Sequence, residues 1–162
     1  MIAHLDRIWL MSADMDCDVR EALVHPLIVK LELDDLAVDD LGGGRVAARV
    51  GFDLYIASEA DKMAEACVSA TFRLIYDMYG PSPATLEGRR DFTCQRALPD
   101  AWPAWRAWLN GTLAVMGLPP DPIPAGIPAP LLEQAGAAFD LTLEVERQHA
   151  ESARQSTTHQ KP

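Results

Sequence analysis

Residues 27–56 read LIVKLELDDLAVDDLGGGRVAARVGFDLYI, two runs of alternating character on either side of a triple glycine. In the first run Leu27, Val29, Leu31 and Leu33 share one face, and Ile28, Lys30, Glu32 and Asp34 share the other. In the second, Val46, Ala48, Val50, Phe52, Leu54 and Ile56 alternate with Arg45, Ala47, Arg49, Gly51, Asp53 and Tyr55. A period of two marks half-buried strand, because successive side chains of an extended chain point to opposite sides. Asp39, Asp40 and Gly42 to Gly44 supply a turn between the runs. A connection this short makes the strands antiparallel, since parallel neighbours need a crossover of about a dozen residues or more.

Outward from this hairpin the pattern repeats. Downstream, past an acidic tip at residues 58–62, the run from Met63 to Met78 places Ala64, Ala66, Val68, Ala70, Phe72, Leu74 and Tyr76 on one face. Upstream, residues 2–19 carry Leu5, Ile8, Leu10 and Met15 among polar residues, with no Gly or Pro. A long strand is the better reading there, and a helix stays open. His25-Pro26 ends whatever precedes it, because proline disfavours helix in the residue before it and lacks an N–H.

After Gly80-Pro81-Ser82-Pro83 the period changes. Leu86 to Arg96 reads as a short irregular helix that Pro99 ends. Trp102, Trp105, Leu109, Leu113 and Met116 recur at three- and four-residue spacing, which predicts an amphipathic helix over about 103–116, stopped by Gly117, Pro119 and Pro120. Six prolines between 119 and 130 predict a semi-rigid extended linker. Pro130 suits the first turn of a last helix with the stripe Leu131, Leu132, Ala135, Ala138, Phe139, Thr142, Leu143 and Val145. The expected fold class is α+β: a four-stranded antiparallel sheet followed by C-terminal helices on one face, as one domain over 1–150. A disordered polar tail is expected over 151–162.

Composition narrows the function. With 162 residues, 49% hydrophobic, the chain can bury one core without staples. A net charge of −10 argues against nucleic acid and anionic lipid as partners. No stretch approaches the roughly 20 apolar residues of a membrane span, residues 1–6 lack the basic flank and apolar core expected of a signal peptide, and the reducing cytoplasm is the expected compartment. Cys17, Cys67 and Cys94 are odd in number and in no ligand spacing, which supports neither a disulfide framework nor a zinc site. His4, His25, His149 and His159 are scattered, and there is no phosphate-binding loop or nucleophile elbow. The expectation is a protein with no catalytic centre, no metal and no cofactor.

Two residue groups stand out. Asp14, Asp16 and Asp18 fall at alternate positions, so in a strand they form one acidic stripe, either a solvated edge or a docking surface for a basic partner. Trp102, Trp105 and Trp108 cluster in the aromatic helix, where core packing and an exposed grip on another chain compete. Ile28, Tyr55 and Ile75 lie on the face away from the apparent core. A sheet apolar on both sides with helices on one implies that its other side meets something, most simply a second copy.

The order of elements, and the stretches Asp6-Arg7-Ile8-Trp9, Val29-Lys30-Leu31-Glu32-Leu33-Asp34, Leu86-Glu87-Gly88, Trp102-Pro103-Ala104-Trp105-Arg106, Gly117-Leu118-Pro119-Pro120 and Ile127-Pro128-Ala129-Pro130-Leu131-Leu132, resemble the SecB family over about residues 5–135. The resemblance implies a dimer of dimers and an ATP-independent chaperone that binds non-native preproteins and passes them to SecA. It also implies SecA docking near Asp14, Asp16 and Asp18. The departures are specific: Val68 or Ser69 stands near the family's glutamate on the last strand, its Gly-Gly-Ile-Phe ending reads Thr71-Phe72-Arg73-Leu74, and the cysteine-proline of the short helix is Leu98-Pro99. The acidic tail is replaced by Ser156-Thr157-Thr158-His159-Gln160-Lys161. Some such relatives protect an antitoxin of a toxin–antitoxin pair instead. Ile75, Tyr76, Tyr79, Trp102 and Trp108 are the expected client-binding residues, being large, apolar and too many for one core. A hotdog or cone-shaped ligand-pocket fold and a purely structural assembly protein are the competing readings; the first normally places a helix early, whereas here every convincing helix follows the strands.

Overall fold

The computed structural model describes residues 2–17, 27–58, 64–116 and 123–141. Four strands form one antiparallel sheet: β1 (Ala3–Cys17), β2 (Leu27–Gly42), β3 (Arg45–Ser58) and β4 (Ala64–Met78), in the order β1-β4-β3-β2. The open question over the first segment is settled as strand. Its phase slips twice, between Leu5 and Arg7 and between Leu10 and Ser12, which is why its alternation is imperfect in sequence. The hairpin turn is tighter than expected. β2 continues through Asp39 and Asp40 to Gly42, and Gly42, Gly43 and Gly44 all have positive φ (73°, 62° and 75°), which glycine adopts without steric cost. Asp40 fastens this corner: its carboxylate accepts from the Ser82 hydroxyl and the Gly42 N–H, both at 2.7 Å, and the two bonds hold its pKa below the usual carboxylate value.

Three helices follow: α1 (Leu86–Phe92), α2 (Leu98–Val115) and α3 (129–141). Two expectations fail here. Pro99 does not end a helix, and the aromatic helix starts at Leu98, not near 103. A π-helical turn, Thr93–Ala97, joins α1 to α2 without a break, and the Leu98 N–H reaches back five residues to the Thr93 carbonyl. A proline ring collides with the carbonyl four residues earlier, so a widened turn just before Pro99 removes the obstacle. The predicted stripe of the last helix is also narrower than expected: Leu131, Ala135 and Phe139 are buried, whereas Leu132 and Ala138 are exposed. Thr142, Leu143, Val145, the polar tail and residues 118–122 of the proline-rich linker lie outside the described residues.

The helices cover one face of the sheet, with α2 over β3 and β4. Its inward residues meet Val46, Val50, Phe52, Leu54, Val68, Phe72 and Leu74 from the strands, the residues that the alternation assigns to the core. Phe52 is the hub: its ring stacks on Trp105 at 4.9 Å and meets Trp102 edge-on at 5.9 Å. The Trp102 indole N–H donates to the carbonyls of Pro124 and Ala125, which ties the end of the linker to α2.

Tyr76 is buried in this core, edge-on to Phe92, and its hydroxyl donates to Asp100 at 3.0 Å. Burial, and then the Asp100 charge, raise its pKa far above the ordinary tyrosine value of 10.0. In the unfolded chain Tyr76 ionises near pH 10 while the folded protein keeps it neutral, so its stabilising contribution is complete below pH 10 and is lost as pH rises beyond. Tyr76→Phe should cost about 1.5 kcal/mol at pH 8 through the lost bond. That deficit should narrow above pH 10 by about 1.4 kcal/mol per pH unit, because only the wild type has this proton to lose. Urea unfolding at pH 8 and 10.8 measures both, and parallel losses would refute the assignment.

Candidate functional site

The sheet has two edges, β1 and β2, and both are incompletely covered. At the β2 edge the alternation breaks. Leu33 pairs with Phe52 and Leu36 with Val50, so β2 advances three residues while β3 advances two. The extra residue is one of the pair Asp34-Asp35, and the bulge returns Leu36 to the same face as Leu33. Gly51 makes this possible: a Cβ there would lie 2.8 Å from the Asp35 nitrogen. Arg49 holds the bulge from the other face, its guanidinium 3.4 Å from the Asp35 carboxylate.

Beside the bulge runs α3. On one flank its Asp140 faces Arg90 of α1 at 3.6 Å. On the other, the Gln134 side-chain carbonyl accepts from the Leu33 N–H at 3.3 Å, occupying a backbone donor on the outer edge of the sheet. Between helix and strand a cleft of about 280 Å³ opens, lined by Leu33, Leu36, Ala138 and Phe139 together with the polar residues Asp34, Asp35 and Gln134. Val29, on the same face of β2 and 44% exposed, continues the apolar wall along the strand. An edge strand beside a cleft with apolar side chains in its lining is a geometry that accepts an extended polypeptide: the backbone supplies hydrogen bonds and the cleft takes alternate side chains. Among the described residues no group of three or more His, Cys, Asp or Glu could hold a metal ion, and no helix is long and apolar enough to cross a membrane.

The five residues singled out for client binding are not brought together. Tyr76 and Trp102 belong to the core, at 1% and 2% exposure, and offer no surface. Ile75 points to the opposite face and is itself buried, beside Ala47 and Arg7 on the flanking strands. Only Tyr79, exposed at the end of β4, and Trp108, half-buried on α2, present surface. The premise that one core could not accommodate so many large side chains was mistaken, because the aromatic stack around Phe52 absorbs two tryptophans. The cleft residues were missed, yet a signal was present: the core-face apolar residues of β2 occupy odd positions through Leu33 and even positions from Leu36 on.

Asp14 and Asp16 are exposed on the helix-free face of β1, opposite Ser69 and Cys67 of β4. Asp18 lies outside the described residues. The acidic stripe therefore exists at its first two positions on an accessible face. No carboxylate stands across from either on β4.

No protein-family profile and no curated protein sequence matches this chain. Among solved structures, the chain is similar to the Mycobacterium tuberculosis Rv1957 SecB-like chaperone, solved in complex with a ChAD peptide from the Rv1956 HigA1 antitoxin. The TM-score is 0.67 at 18% identity, over 78% of this chain and 91% of that one. With that TM-score and near-complete coverage of the neighbour, the chain has the SecB-like fold.

Proposed function

We propose that this protein is a non-catalytic, ATP-independent chaperone that holds non-native polypeptides in the cleft between β2 and α3. The observation that carries the reading is that cleft: an edge strand whose outward backbone adjoins a trough of mixed apolar and polar lining, on a fold shared with a chaperone solved with a peptide bound. A client segment would lie extended along β2 and insert alternate side chains between Leu33, Leu36 and Phe139. Each buried aliphatic or aromatic side chain contributes about 1.5–3 kcal/mol with little demand on its identity, which suits a binder of many sequences.

The neighbour's bound antitoxin peptide favours a dedicated antitoxin client for this chain over an export preprotein. Export would need a basic partner such as SecA on Asp14 and Asp16 alone. The working form is a homo-oligomer in the cytoplasm, in the family's dimer-of-dimers arrangement. Support comes from the second open edge: Leu10 and Met15 of β1 lie on the helix-facing side yet are 39% and 53% exposed, an unfinished core surface that a second copy would cover.

The test is dilution of a urea-denatured client into an equimolar amount of the purified protein, without nucleotide. Light scattering should stay low, and client and protein should co-elute at the mass of an oligomer. A folded protein that leaves aggregation unchanged refutes the reading. If aggregation is suppressed, competition by an antitoxin-derived peptide against a signal-bearing preprotein decides the client class.

A further inference from the structure

The helix-free face of the sheet carries a second feature, which meets the cleft only through the Arg49–Asp35 pair and is independent of the chaperone reading. Strand register lines its side chains into rows across β1, β4 and β3. One row is Trp9, Arg73, Arg49; the next is Arg7, Ile75, Ala47. Arg49 and Arg73 are thus directly opposed on neighbouring strands, an arrangement of like charges that weakens a sheet. Neither Arg7 nor Arg73 has a carboxylate partner among the described residues, and Arg49 has only Asp35. The Nε of Arg49 is buried without an acceptor among the described residues. Arg73 lies 5.8 Å over the ring of Trp9, which is itself 37% exposed. Beneath them Ala47 and Ile75 are buried, giving the patch an apolar floor.

Arg49 steadies the bulge through Asp35 and Arg73 lies over Trp9, but the opposition of the two guanidinium groups costs stability, and Arg7 has no ion-pair partner among the described residues. We propose that Arg7, Arg49 and Arg73, with Trp9 beside them, form a docking site for an acidic segment of another polypeptide. A guanidinium binds a carboxylate through two parallel hydrogen bonds, and the free cations match carboxylates on alternate residues of an extended chain. The patch spans about 10 Å across three strands and about 7 Å along them, room for two or three residues. A nucleic acid is disfavoured by the far end of the same face, where Asp14, Ser69, Asp53 and Glu32 form one row and would repel a continuing polyanion. A short acidic segment ends before reaching it. Asp39 and Asp77 border the patch, and His4 pairs across from Asp77.

The probe is a fluorescein-labelled octapeptide with glutamate at alternate positions, followed by anisotropy with the full chain at low salt. Its glutamine counterpart and a single-stranded DNA octamer serve as controls. The acidic peptide should bind about tenfold or more tightly than the glutamine peptide. The double variant Arg7→Gln, Arg73→Gln should lose that advantage while its melting temperature stays level or rises. Equal binding of the two peptides, unchanged binding by a folded double variant, or tighter binding of the DNA would each overturn the proposal. Blocking the β2–α3 cleft should leave this binding unaltered, which separates its failure from failure of the chaperone reading.

Discussion

Trp105→Ala is expected to remove about 3–5 kcal/mol of stability, the usual loss for truncating a large buried aromatic. Such a loss is a large part of the total of about 5–15 kcal/mol that a domain has. The side chain is fully buried between the sheet and α2, stacked on Phe52 and 5.1 Å from Trp102, so the cavity opens at the junction of strand and helix. Neighbours cannot easily close it, because Phe52 is held from the sheet side by β3 and Trp102 is tied to the linker through its indole N–H. Trp105→Phe should cost much less. The Trp105 Nε1 is buried with no acceptor among the described residues, so the smaller ring loses volume but also removes an unsatisfied donor. Urea unfolding of the three proteins gives the order: wild type, then the phenylalanine variant close behind, then alanine far below. A phenylalanine variant that loses as much as the alanine variant would refute this order.

Much of the fold was legible because the strands are long and half-buried, so the period-two signal persists over enough residues to fix type, face and neighbour. Val46 to Ile56 and Ala66 to Tyr76 have core faces that follow directly from their alternation. The helices were less legible. Pro99 and Pro103 are strong stop signals locally, but a π turn next to the first one is a tertiary solution that no residue of the stretch announces. The proposed client cleft is the least legible part, since size and aromaticity read as marks of exposure, whereas Trp102 and Tyr76 are large and aromatic because they fill the core. What marks the cleft is small: a phase slip at Asp34-Asp35, a glycine opposite it at 51, and one glutamine on the far helix. Each is ordinary alone. Their meaning appears only when register puts Gly51 against Asp35 and Gln134 against Leu33.

Ala138→Trp should abolish most of the holding activity of a protein that still folds. Residue 138 is exposed on the flank of α3 that faces the cleft, one turn beyond Gln134, so an indole there lies across Leu33, Leu36 and Phe139 without entering the core. The client then loses the place of at least one apolar side chain, about 1.5–3 kcal/mol, and roughly ten- to hundredfold more protein should be needed for half-suppression of aggregation. Stability should change little, because an exposed position on an existing helix gains a large side chain over a surface that was already open. Ala137→Trp is the control. It adds the same apolar side chain one residue away, on an exposed part of α3 that does not line the cleft, and should hold client as well as wild type. If both variants hold client normally, the polypeptide binds elsewhere, and the exposed inward side of β1 at Leu10 and Met15 becomes the next place to block. If both lose activity, the added tryptophan acts through self-association, which a sedimentation measurement on the free variants would reveal.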